Sequence, residues 1–313
     1  MRYIVDFKDD EHVIDHYLCK QKQTLKTRSG KNYLSLKLQD KTGLIDAKVW
    51  ELNNDIQSFE ENDFIKIDGV VGVYQNELQL RINKIRKSNE GEYNPVDFIP
   101  CTDKDITSLH KQLLDLIESI NNIYIKQLLK NIFINNEKIA ENIKSHSAAK
   151  QMHHNYMGGL IEHSVSVAQI CDFLSRRYKY VNRDILISGA LLHDVGKVYE
   201  LTPFPENDYT DEGELLGHIV IGVELITKEA KSIEDFPEEV LMILKHCIVS
   251  HHGELEFGSP QKPKLIEAFI IHCVDDMDAK EKIYEDMIEK DNTKGKWVGY
   301  HRMLGRNIRK TDI

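Results

Sequence analysis

The period of the apolar residues changes once along this chain, and that change limits the fold more than any other feature. Up to about residue 90, apolar side chains recur at every second position: Leu34, Leu36 and Leu38, then Ile45, Ala47 and Val49, then Leu78, Leu80 and Ile82. Such alternation marks strands with one buried face. From 104 to 290 the recurrence follows three- and four-residue steps, as at Leu113, Leu114, Ile117 and Ile120, which is helical spacing. A chain with this switch folds as two bodies, one β and one helical. Between them, 88–100 (SNEGEYNPVDFIP) carries Gly91, Pro95 and Pro100 without any period and reads as a linker.

Within the first body we expect strands over 13–20, 33–38, 43–50 and 64–73 and one from Leu78 onward. Turns fall at Asp40-Lys41-Thr42-Gly43 and at Gln75-Asn76, and 51–60 is expected as a short helix. Five strands and a short helix fit a small closed all-β barrel of the oligonucleotide-binding (OB-fold) kind. In the second body helices are expected over 122–134, 136–148, 159–178, 182–193, 214–229, 237–250 and 264–289. Breaks come at Pro203 and Pro205 and at Pro260 and Pro263. The expected organisation is therefore multidomain. It has a nucleic-acid-binding barrel over 1–90, a linker over 91–103, an all-α domain over 104–291 and a basic C-terminal extension over 292–313.

The five cysteines include no CxxC pair, which suits a reduced, cytoplasmic chain. The N-terminus lacks the apolar core of a signal peptide, and runs such as ILISGALL from Ile185 are too short to span a bilayer. No membrane partner is expected. The net charge of −10 argues against binding nucleic acid through bulk charge. Its distribution matters more, because residues 1–90 hold 15 basic and 15 acidic residues and the remainder holds 26 and 36. A neutral barrel with a local basic strip still suits a phosphate backbone. Lys20, Lys22, Lys26, Arg28 and Lys31 cluster before the second strand. Tyr33 and Lys37, Lys48 and Trp50, and Arg81 fall on the polar faces of successive strands. Aromatic rings for bases interleaved with cations for phosphates are how such barrels hold single strands.

The helical body is rich in histidine, with His146, His153, His154, His163, His193, His218, His246, His251, His252 and His272 all inside it. Imidazoles and carboxylates are ligands of divalent metals of borderline softness. His193-Asp194 is the most informative pair, because it ends an apolar helix at Leu191 and Leu192. A charged aspartate there is costly unless paired or metal-bound. Two adjacent ligands can serve neighbouring metal positions, with the carboxylate between them. Val195-Gly196-Lys197 then turns away and brings a lysine near the centre. Asp275, just after the apolar run 269–274, and the glycine-flanked His218 and His251-His252 complete the set.

The ordered pieces GGLIEH (158–163), LLHDVGK (191–197), LLGHI (215–219), VSHHG (249–253) and CVDDMDAK (273–280) resemble the HD-domain phosphohydrolase superfamily. With MHHNYMGGLIEH (152–163) and SHHGELEFGSP (250–260) behind a barrel, nearly the whole chain resembles 3′-to-5′ exoribonucleases of the YhaM type. The resemblance implies His163, His193, Asp194 and Asp275 around one metal, and His218 with His251, His252 or both around a second. It implies release of nucleoside 5′-monophosphates from single-stranded RNA, activity on single-stranded DNA, a homo-oligomer and Mn2+, with Co2+, Fe2+, Zn2+ or Mg2+ as alternatives. Asp194 and Lys197 are then the expected catalytic residues. His153 or His154 would contact phosphate, and His154 would protonate the leaving oxygen. Gly158-Gly159 would allow close backbone approach before His163, and Glu254, Glu256, Phe257 and Ser259 would shape the terminal-nucleotide pocket. His246 and His272 are expected to pack or to make local hydrogen bonds. Two other functions remain open from sequence: a phosphohydrolase of small or cyclic nucleotides, and a non-catalytic single-strand adaptor.

Overall fold

The computed structural model describes residues 1–75, 77–150, 155–291, 293 and 295–311. It divides into two compact units, Met1–Cys101 and Thr102–Ile313. The first is a closed barrel of β1 (His12–Lys26), β2 (Asn32–Asp40), β3 (Gly43–Val49), β4 (Phe64–Tyr74) and β5 (Glu77–Lys87), in the order β1-β2-β3-β5-β4. Closure depends on β1 serving two partners. Its first half pairs antiparallel with β4, from His12 opposite Val70 to Leu18 opposite Phe64, and its second half pairs with β2 out to Lys26 opposite Asn32. A bulge between Cys19 and Gln21 separates the halves and supplies the bend that a small barrel needs. β3 and β5 close the remaining seam in parallel. A second bulge lies at Asp68/Gly69. A Cβ on Gly69 would sit 2.6 Å from the Arg81 carbonyl oxygen, so only glycine fits there.

The alternating residues fill the barrel. Leu34, Leu36, Leu38, Ile45, Ala47, Val49, Leu80 and Ile82 are all buried, together with Tyr17, Ile65, Ile67 and Ile85. Leu78 is the exception. It is 38% exposed, at the start of β5 beyond the layer that closes the interior. The helix expected over 51–60 does not form. Asn53 Oδ1 instead accepts from the Asp55 N–H at 2.9 Å, Ile56 bridges to Ile85, and Phe59 inserts into the core. A side chain offering the backbone this alternative bond competes with a helical turn. The aperiodic stretch after β5 is also anchored. Tyr93 stacks on Phe64 with centroids 4.2 Å apart, and Phe98 packs edge-on against both.

The second unit is helical: α1 (Ile106–Glu118), α2 (Ile123–Lys130), α3 (Glu137–Asn142), α4 (Gly159–Arg177), α5 (Arg183–Leu192), α6 (Lys197–Glu200), α7 (Asp211–Lys231), α8 (Glu238–Ser250) and α9 (Ile266–Lys290). Asparagine or aspartate side chains cap α1, α2, α3 and α5, each satisfying N–H groups that the first turn leaves open. One apolar core runs through the unit, with Leu160, Val167, Leu186, Ala190, Leu244, Ile248 and Ile271 at the meeting of α4, α5, α8 and α9. The helix expected over 136–148 ends at Asn142, whose carbonyl accepts from the Ser145 and His146 N–H groups. The tail forms a hairpin, β6 (Trp297–His301) with β7 (Arg306–Arg309). Among the described residues, no helix is long and apolar enough to cross a membrane.

Candidate metal centre

The helices from α4 to α9 deliver the polar side chains of the centre. His163 lies one turn into α4. His193 and His251 are the residues that terminate α5 and α8, and they are held alike. Each donates from Nδ1 to the carbonyl three residues back, His193 to Ala190 and His251 to Ile248, both at 2.7 Å. The last carbonyls of a helix lack intrahelical partners, so each ring satisfies one while its Nε2 points the other way. The other rings follow the same pattern with different acceptors. His163 Nδ1 bonds Asp278 Oδ2 at 2.8 Å, His218 Nδ1 bonds Glu200 Oε1 at 3.0 Å, and His252 Nδ1 donates to the Phe257 carbonyl at 2.9 Å. An imidazole that donates from Nδ1 leaves its Nε2 lone pair available as a ligand, and this outer support fixes both ring orientation and tautomer.

The lone pairs converge on Asp194. Its Oδ2 lies 3.4 Å from His193 Nε2 and 3.6 Å from His163 Nε2, and its Oδ1 lies 3.5 Å from His218 Nε2 and 3.6 Å from His251 Nε2. These distances exceed hydrogen-bond length. Asp194 Oδ1, His218 Nε2 and His251 Nε2 are buried atoms with no hydrogen-bond partner among the described residues. His163 Nε2 and His193 Nε2 are 3.2 Å apart, and Asp275 Oδ1 lies 3.1 Å from the first and 3.8 Å from the second. Two ligands that each lie about 2.1 Å from one ion stand roughly 3.0–3.4 Å apart, close to the spacings observed. Two groups thus have their ligand atoms within 4.8 Å of one another, His163/His193/Asp194 and His218/His251/His252. Converging lone pairs and orphaned buried atoms fit divalent cations, with one Asp194 oxygen turned to each group.

Charge in the centre is balanced by neighbours. Burial would raise the Asp194 carboxyl, but Lys197 and His193 outweigh it and hold it well below the ordinary carboxylate range. Lys197 Nζ donates to Asp194 Oδ2 at 2.7 Å. Burial disfavours its charge, yet Asp194 and Asp275 keep the ammonium above its usual value. His251 is pushed well down by burial and by His193 and His252 beside it, which favours the neutral ligand form.

Close backbone packing makes this geometry possible. Gly217 takes φ 71° and interrupts the ladder of α7. The freed His218 N–H donates to Glu200 Oε1 at 2.9 Å, the same oxygen that receives its ring. A Cβ on Gly196 would stand 2.1 Å from the His218 carbonyl oxygen, and one on Gly213 would stand 2.2 Å from that of Glu200. Glycines therefore let α6 and α7 touch.

Three supporting residues were not singled out from sequence. Glu200 and Asp278 carry two of the rings, and Ser166 donates to Asp278 Oδ1. Asp278 stands one helical turn from Asp275 and on the same face of α9, a signal that the sequence offered. His272 Nδ1 donates to the His251 carbonyl at 2.9 Å, and His246 Nε2 accepts from the Lys264 N–H. Gly158 adopts φ 81°, packed on Thr102 and Ile106. Ser259 is buried and bonded to the Val249 carbonyl, Glu254 pairs with Lys262, and Glu256 and Phe257 are exposed. His153 and His154 lie outside the described residues.

In the barrel, Tyr33 and Trp50 stack with centroids 4.7 Å apart. Ser35, Lys48 and Arg81 stand side by side across β2, β3 and β5, as do Lys37, Asp46 and Gln79. Lys48 Nζ donates to Ser35 Oγ at 2.5 Å. The five residues expected on one surface are brought to one side of this three-stranded sheet. Of the basic strip, Lys22 turns instead to the Phe59 carbonyl and Glu60.

Fold and site together define the class: a metal-dependent phosphohydrolase of the HD type that also carries an OB-fold barrel. The HD domain family matches residues 160–280, and a family of OB-fold nucleic acid binding domains matches 20–87. The 3′-5′ exoribonuclease YhaM of Geobacillus sp. (strain WCH70) is 34% identical over 289 residues, 92% of this chain and 88% of that protein. The protein of the same name from Bacillus velezensis is 34% identical over 282 residues, 90% and 88% of the two chains. The chain belongs to the YhaM family. Among solved structures, the second OB-fold domain of replication protein A from Methanococcus maripaludis matches 29% of this chain and 96% of its own length. Its identity is 18% and its TM-score 0.24, too low to bear on the fold.

Proposed function

We propose that this chain is a 3′-to-5′ exonuclease that shortens single-stranded RNA and single-stranded DNA and releases nucleoside 5′-monophosphates. The observation that carries the reading is the division of the site about Asp194, with separate groups of imidazole lone pairs facing its two oxygens. His163, His193, Asp194 and Asp275 would hold one ion, and His218, His251, His252 and the second oxygen of Asp194 the other. Mn2+ is the ion we propose. Paired divalent ions acidify a water and neutralise a phosphodiester.

The chain's own groups do the rest. Asp194 holds the two halves at a fixed separation. Lys197, anchored on Asp194 Oδ2, keeps a positive charge beside the position of the scissile phosphate, where it steadies developing negative charge. Glu200 and Asp278 keep His218 and His163 from rotating. We assign His153 and His154 to phosphate contact, with His154 as the proton donor to the leaving oxygen. The polymer reading rests on the barrel, where Tyr33 and Trp50 offer ring faces and Lys37, Lys48 and Arg81 offer charge. Stacking tolerates any base, so low sequence preference is expected. The relatives named as exoribonucleases support the same substrate. We further propose a cytoplasmic homo-oligomer, with the barrel over 1–90, a linker over 91–103, the hydrolase over 104–291 and an extension over 292–313.

The test uses 5′-labelled single strands with free or phosphorylated 3′ ends, with and without Mn2+. A ladder that needs both metal and a free 3′ hydroxyl is expected. Intact polymer beside hydrolysis of a small or cyclic nucleotide would overturn the substrate, and retention without any hydrolysis would leave only an adaptor.

A further inference from the structure

The helical unit carries a basic, aromatic surface that the metal centre does not use. Residues 295–311 contain five lysines and arginines and no acidic residue, although the chain beyond residue 90 has ten more acids than bases. They form the hairpin of β6 and β7. Its register pairs Trp297 with Arg309, Gly299 with Ile308, Tyr300 with Asn307 and His301 with Arg306, with a bulge between Trp297 and Gly299. Paired residues share a face. Ile308 and Gly299 therefore turn inward, Ile308 being 2% exposed, while Trp297, Tyr300, Asn307 and Arg309 share the outer face. On that face Trp297 is 60% and Tyr300 65% exposed. Lys310 is held by Asp291 at 2.7 Å. Lys296, Arg302, Arg306 and Arg309 have no carboxylate partner among the described residues.

We propose that this face is a second single-strand contact, in which bases stack on Trp297 and Tyr300 while Arg309 and the flanking cations meet the phosphates. The proposal rests on the reading of the substrate as a single-stranded polymer. Its chemistry is the one that lets a protein hold single strands without reading sequence, exposed ring faces beside cations. A second copy of the chain is the poorer occupant. A symmetric contact would set this patch against itself, opposing positive groups with no acid to offset them.

The chain contains two tryptophans, Trp50 in the barrel and Trp297 in the hairpin, so each surface has its own fluorophore. In the full chain stripped of metal, where cleavage cannot occur, Trp50→Phe leaves Trp297 as the sole tryptophan signal and Trp297→Phe leaves Trp50. Titration with oligouridine and oligothymidine is expected to quench Trp297 saturably in the first variant. Tyr300→Ala is expected to weaken binding by about 5- to 150-fold, the range for loss of one stacked base. Arg309→Ser is expected to lower the salt slope by about 0.7, one phosphate contact. If Trp50 responds and Trp297 does not, the hairpin proposal fails and the barrel reading stands. Silence from both tryptophans, with no binding, overturns both readings. A Trp297 change that follows protein concentration without oligonucleotide, alongside a doubled mass in sedimentation, assigns the face to a second copy and overturns the proposal.

Discussion

Asp278 offers the sharpest test of how the centre is held. Its Oδ2 receives His163 Nδ1 at 2.8 Å, and its other oxygen receives Ser166 Oγ. The residue is 9% exposed, so water does not replace it readily. Asp278→Asn keeps the shape and one acceptor but removes the charge that strengthens His163 as a ligand. Asp278→Ala removes both and strands the Ser166 hydroxyl. Loss of an outer partner of this kind weakens metal affinity by about 10- to 100-fold, or about 1.4–2.7 kcal/mol. Asparagine is expected near the lower end and alanine near the upper. The effect should be confined to the proposed ion site around His163, because His218 depends on Glu200, and His251 and His252 depend on main-chain carbonyls. Calorimetric titration of metal-stripped protein with Mn2+ resolves this, with one binding step weakened and the other unmoved. Equal weakening of both steps, or none in a variant that melts like the parent, would refute the reasoning.

Asp194→Asn should abolish cleavage while sparing retention of a single strand in a gel-shift assay; unchanged cleavage would refute the bridging role proposed for Asp194. Gly196→Ala places a Cβ 2.1 Å from the His218 carbonyl oxygen, and overpacking of this kind should cost about 1–3 kcal/mol or more, read as a lowered denaturation midpoint. Burial pushes the Cys19 and Cys247 thiols up to about 12 and raises Cys171 further. A disulfide reagent at neutral pH should therefore label exposed Cys273 first and half-buried Cys101 more slowly, with the other three appearing only on unfolding. Rapid labelling of all five would contradict the packing of both cores.

The barrel was legible where apolar residues alternate and illegible where backbone pairing alone makes the strand. Leu34, Leu36, Leu38, Ile45, Ala47 and Val49 announce a buried face, and they have one. The second half of β1, running to Lys26, is almost wholly exposed. It is a strand because β2 lies beside it, and no period in its own residues says so. The loop over 51–60 misled for a related reason, since Asn53 makes a local bond that composition does not weigh against helix formation. In the helical unit the order of histidines and aspartates suggested the centre. The residues that orient them were harder to see. Glu200 acts on His218 from a separate helix through a kink at Gly217, and that relation exists only after folding.

The shared placement of His193 and His251 at helix ends has a kinetic consequence. Each ring is clamped by the carbonyl it satisfies, so the choice of tautomer and the loss of rotamer freedom both occur when α5 and α8 terminate, before any ion arrives. Ion capture then requires little rearrangement at these two rings, and different divalent ions meet the same waiting lone pairs. Discrimination among them would fall to the intrinsic affinity order of the metals and to their supply, rather than to any reshaping of the protein around its guest.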